Sequence, residues 1–146
     1  MSSPRPPDIF DKARSVAASV LFACGLAAIL GAVLAWVTVE LPELGVPNGR
    51  PAETVTGIEG TDGWIVIVAG AMVIVAAVLL VLRATSGYAW LAFLASMVVG
   101  GIALANYRQL DQIGEPAMGL LLVAAAGIIG VIAAAAGVAA SPRRAN

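Results

Sequence analysis

The sequence predicts an all-α membrane protein: an antiparallel four-transmembrane-helix bundle with a short extracellular β-hairpin-like loop between helices 1 and 2. Three observations carry that reading. Of 146 residues, 60% are hydrophobic and only 12% charged, with a mean hydropathy of +0.96. A soluble domain carries about 25% charged residues, so this chain has too little polar surface to coat a water-soluble body. Residues 15–39, 63–82, 84–107 and 116–142 form four charge-free runs, and a run of roughly 18 or more apolar residues reads as a membrane span. The basic residues then divide unequally. Lys and Arg are retained on the cytoplasmic side of short loops. Arg5, Lys12, Arg14, Arg83, Arg143 and Arg144 fall on one side of a four-span arrangement, and only Arg50 and Arg108 on the other. An even number of spans puts both termini on the basic side. The expected place is a bacterial cytoplasmic (inner) membrane, crossed several times, with both termini cytoplasmic.

Taken in order, residues 1–14 form a cytoplasmic tail and 15–38 the first span. That span is too long for the apolar region of a cleaved signal peptide, which runs to about 7–15 residues. Leu21-Phe22-Ala23-Cys24 resembles a lipoprotein cleavage box, but Phe22 fits poorly and the apolar run continues far beyond Cys24. Cys24 reads better as a small packing residue. An outer loop spans 39–62, the second helix 63–82, a tight cytoplasmic turn 83–87, the third helix 88–107, a second outer loop 108–116, the fourth helix 117–139 and a tail 140–146. Short connections make sequential spans antiparallel neighbours. Trp and Tyr favour both membrane interfaces; Trp36, Trp64 and Tyr107 fall at the outer ends of their spans, and Tyr88 and Trp90 at an inner end.

Helices in lipid associate by close packing over small residues. The first span carries a row at four-residue spacing, Ser15, Ser19, Ala23, Ala27, Gly31 and Ala35. Shorter rows occur in the third span (Ala92, Ser96, Gly100) and the fourth (Ala126, Gly130, Ala134). Packing within one bundle is the simple reading of these rows; binding of another chain is the sharper one.

The first outer loop is the one polar element with pattern. Trp36-Val37-Thr38-Val39-Glu40-Leu41 and Thr54-Val55-Thr56-Gly57-Ile58 are rich in strand-forming residues, and Asn48-Gly49 between them is a turn signal. A hairpin alone is marginal in water, so this one is expected to pack on the helix ends. The loop closes on Thr61-Asp62-Gly63-Trp64. Thr61 or Asp62 is suited to cap the second helix, whose positive end favours an acidic side chain, and Trp64 to anchor the interface. Glu53, Glu59, Asp62, Asp111 and Glu115 offer oxygen ligands for Ca²⁺, but without calcium-loop spacing. A paired-carboxylate hydrolase likewise has no spacing to fix it.

Histidine is absent and Cys24 is the only cysteine. These facts remove the commonest general base and the usual zinc and iron–sulfur ligand sets. Neither a phosphate-binding loop nor a GxSxG elbow occurs, and no basic run suggests nucleic acid. The reading is a non-enzyme without cofactor or metal. All four spans lack Asp, Glu, Lys, Arg and a central Pro, residues that ion-coupled transport normally requires at depth.

Trp36-Val37-Thr38, then Val55-Thr56-Gly57-Ile58-Glu59, then Asp62-Gly63-Trp64 resemble the arrangement in small four-helix membrane proteins of high-GC actinobacteria. The resemblance covers the first two spans and their loop. Such families bring no established activity. Arg outnumbering Lys seven to one also fits a GC-rich genome. The function expected is that of an accessory or scaffold subunit of a membrane complex. Its partners would be the bilayer and either another membrane protein or a second copy. The alternatives are a small homo-oligomeric channel or transporter for an uncharged or lipidic solute, and an envelope sensor acting through the outer loop.

Overall fold

The computed structural model describes residues 9–39, 53–83, 85–110 and 115–141. The elements run α1 (Ile9–Val33), β1 (Ala35–Val39), β2 (Glu53–Thr56), a 3-10 turn (Gly57–Glu59), α2 (Thr61–Arg83), α3 (Ser86–Leu110), β3 (Glu115–Pro116) and α4 (Met118–Ala140). Each helix holds at least 23 residues, and all four are long and apolar enough to cross a membrane. At ~1.5 Å per residue such a helix exceeds the ~30 Å hydrocarbon core. The four are compatible with an integral membrane protein.

Side-chain size is distributed as a bilayer demands. Buried positions are mostly small: Ala17, Ala28, Ala69, Ala76, Ala92 and Ala134 are among them, while Leu30, Val68, Trp90, Leu94, Ile128 and Ile132 face outward. Where lipid is the solvent, exposing a bulky aliphatic chain costs nothing, and small interior residues let backbones approach. The principal helix contacts pair α1 with α2 and α4, and α3 with the same two. Glycine sets the approach at three of these four crossings, α1–α2, α1–α4 and α3–α4. A Cβ on Gly25 would stand 2.8 Å from the Gly70 carbonyl oxygen, one on Gly31 2.9 Å from that of Gly119, and one on Gly127 2.5 Å from Gly100 Cα. Along α1 the positions Ala17, Cys24 and Gly31 meet Gly137, Gly130 and Gly119 of α4, so the two helices run in opposite senses. Ala89, Ser96 and Gly100 of α3 likewise meet Gly137, Gly130 and Gly127.

Two strands form within the stretches that the first loop predicts, but the second ends at Thr56, with Gly57 and Ile58 in the 3-10 turn, and Glu40 and Leu41 lie outside the described residues. β1 and β2 pair antiparallel, with Val37 opposite Val55, Thr38 opposite Thr54 and a register irregularity between Ala35 and Val37. The expected Asn48-Gly49 turn lies outside the described residues. A third strand is unforeseen: β3 pairs with β1, Val37 opposite Pro116 and Thr38 opposite Glu115, giving the order β2-β1-β3. The first helix also differs from the expected 15–38. It starts earlier, at Ile9, where Arg14 and Asp11 form a 2.9 Å ion pair one turn apart. It stops earlier too, at Val33, because the β-branched run that follows is drawn into the sheet.

Candidate functional site

Two features stand out: a sheet-covered end of the helices and a groove along their side. The covered end is built on Trp36. The last carbonyls of a helix lack intrahelical partners, and at the end of α1 the indole Nε1–H of Trp36 donates to the Gly31 carbonyl at 2.8 Å. Expected as an interface anchor, Trp36 is instead only 5% exposed, whereas Trp64 is 61% exposed. Gly57 lies against the indole, and any side chain there would overlap the ring. Gly63 is held as tightly against Gly57, so the expected anchor segment Asp62-Gly63-Trp64 contains one residue fixed by backbone contact. The Ala117 N–H donates to the Trp36 carbonyl at 2.9 Å, carrying the strand pairing on to the start of α4.

Asp62 lies within the first turn of α2. Its Oδ2 accepts a 2.9 Å hydrogen bond from Asn106 Nδ2, which also donates to the Ile102 carbonyl at 3.0 Å. That contact ties the start of α2 to the end of α3. Sequence reasoning missed Asn106 because the partners lie 44 positions apart. Glu59 accepts from the Thr56 hydroxyl at 3.2 Å. Among the described residues, no three His, Cys, Asp or Glu side chains gather as a metal site would require.

The small-residue row of the first span does not occupy one environment. Four residues overshoot one helical turn by about 40°, so a row of six winds around the helix. Ser15, Ser19 and Ala23 are exposed, Ala27 and Ala35 half-buried, and Gly31 buried against α4. The Ser19 hydroxyl donates to the Ser15 carbonyl at 3.0 Å, and Ser19 lines a shallow groove between α1 and α2 with Phe22 and Val78. Gly130 lies against Ser96, whose side chain is only 2% exposed. Gly100 touches Gly127, so these three predicted residues are brought together at the α3–α4 crossing. Cys24 is buried in the same core as Trp36.

The larger groove opens beside that crossing. Its volume is about 530 Å³, its floor is made by small residues such as Gly100, Gly101 and Gly127, and its rims by chains such as Met97, Leu104 and Ile132. Ligand pockets typically span about 300–1,000 Å³. Comparison with known proteins returns no matching family model, no matching curated protein and no matching solved structure.

Proposed function

We propose that this chain is a non-enzymatic, multi-pass protein of the bacterial cytoplasmic membrane. In this reading the helices form an antiparallel four-span bundle with both termini in the cytoplasm and the sheet outside. Its role is that of an accessory or scaffold subunit in a membrane complex. One observation carries the role: Ser15, Ser19 and Ala23 form a small-residue face on α1 that is exposed rather than spent on packing within the chain. Small outward residues forgo the bulky lipid contacts made elsewhere on the surface and admit a neighbouring helix closely. The suggested kinship with small actinobacterial four-helix proteins belongs to the same proposal.

The test is affinity purification of the tagged chain from its native membrane in mild detergent, with mass spectrometry of what accompanies it. A stoichiometric membrane partner is expected, and Ser19→Leu with Ala23→Leu should release it without loss of the chain from the membrane. Recovery of a lone homo-oligomer, unchanged by both substitutions, would sink the accessory role. The groove between α3 and α4 favours a second reading, transport of a lipidic solute by a homo-oligomer. Solute flux in liposomes holding only this chain would support it.

A further inference from the structure

Beyond a role in a complex, we propose that the α3–α4 groove is a binding site for one anionic phospholipid, its hydrocarbon chain in the groove and its phosphate at Arg108. The proposal rests on the membrane reading above. From Phe93 to Tyr107 the groove follows α3 for about 21 Å at ~1.5 Å per residue. It is lined almost wholly by apolar side chains and glycines, so its length suits a single extended hydrocarbon chain rather than a compact polar solute.

Gly101 supplies the second argument. A Cβ built there would meet nothing within 4 Å, unlike the glycines at the helix crossings. A glycine in a helix interior is destabilising by roughly 0.5–1 kcal/mol relative to Ala, and packing within this chain gives no reason for it. Its lack of a side chain does deepen the groove.

Charge then selects the occupant. Met97, Gly101, Leu104 and Arg108 follow one another at four-, three- and four-residue steps, which places them on one helix face. Arg108 therefore stands on the groove side, one turn beyond Leu104 and at the sheet end of α3. Its side chain is exposed, and the only ion pair among the described residues joins Arg14 to Asp11. Guanidinium matches phosphate in shape and charge, and basic residues beside membrane spans attract anionic lipid head groups. An apolar trough ending in an arginine that has no ion pair among the described residues has the polarity of a phospholipid.

The full chain, reconstituted in phosphatidylcholine vesicles containing a minor fraction of phosphatidylglycerol, is taken up in mild detergent and weighed by native mass spectrometry. Wild type should keep one lipid, enriched in phosphatidylglycerol relative to the vesicles. Gly101→Leu should lose the retained lipid. Arg108→Gln should keep a lipid but reduce the phosphatidylglycerol enrichment about fivefold, the effect of one basic residue near an anionic surface. Wild type that keeps lipids in the vesicle ratio, or keeps none, overturns the proposal before any variant is made. So does Gly101→Leu that keeps phosphatidylglycerol as wild type does, or a groove filled by a second copy, seen as a dimer that Gly101→Leu dissociates. Flotation with the vesicles separates the two readings. A chain that floats but keeps no lipid loses this site alone; a chain that does not float loses the membrane reading with it.

Discussion

Trp36 shows how much a single side chain does at the covered end. Its indole fills the space beneath the sheet, and its N–H satisfies a carbonyl at the end of α1. A buried acceptor left without its donor costs about 1–3 kcal/mol. Trp36→Phe, which keeps most of the ring, should therefore lower stability by an amount in that range. Trp36→Ala adds a cavity and should cost about 3–5 kcal/mol. Reversible unfolding in mixed micelles, followed by circular dichroism, measures both. Equal effects of the two substitutions would mean that the hydrogen bond, not the ring, dominates. Nothing local in the sequence distinguishes this tryptophan from Trp64. Both stand at the end of an apolar run, and only the strand turning back over α1 buries one and leaves the other exposed.

At the scale of elements, the α1–α2, α1–α4 and α3–α4 crossings are set by where glycine meets glycine. Gly127 and Gly101 make a matched contrast, since a methyl group on the first meets the backbone of α3 and one on the second meets open space. Gly127→Ala should destabilise by about 1–3 kcal/mol, the usual effect of overpacking. Gly101→Ala should be neutral or stabilising by up to about 1 kcal/mol, through helix propensity. The same unfolding assay separates them, and a destabilising Gly101→Ala would show that α3 has a neighbour at that face. The strands divide in their legibility. β1 and β2 were readable because runs of β-branched residues flank a turn signal. β3 was not, because Glu115-Pro116 has no pattern of its own and becomes a strand only by lying beside Val37 and Thr38. The row at four-residue spacing misleads for a related reason. Spacing alone does not correct for the 3.6-residue turn, so exposed Ser19 and buried Gly31 look equivalent in the sequence.

For the whole molecule, the four spans were the most legible feature, because hydropathy is a property of short windows and needs no knowledge of partners. Which residues face the interior was far less so. Ala, Gly and Ser occur on every side of these helices, and burial is decided by which neighbour each helix receives. The groove between α3 and α4 is a product of that pairing: Gly101 lines a groove only because Ile128 and Ile132 of α4 stand opposite. The sheet joins the segments after α1, before α2 and before α4 at one end of the helices, the end that the proposed topology places outside.

The central claim, a chain that crosses the membrane four times with its sheet outside and its termini inside, is tested most directly by cysteine labelling in intact cells. On a Cys24→Ala background, single substitutions Ser3→Cys, Asn48→Cys and Ala145→Cys are exposed to a membrane-impermeant maleimide before and after permeabilisation. The account predicts that Asn48→Cys reacts in intact cells and that the two terminal positions react only once the membrane is opened. Labelling of the termini in intact cells, with position 48 protected, would contradict it.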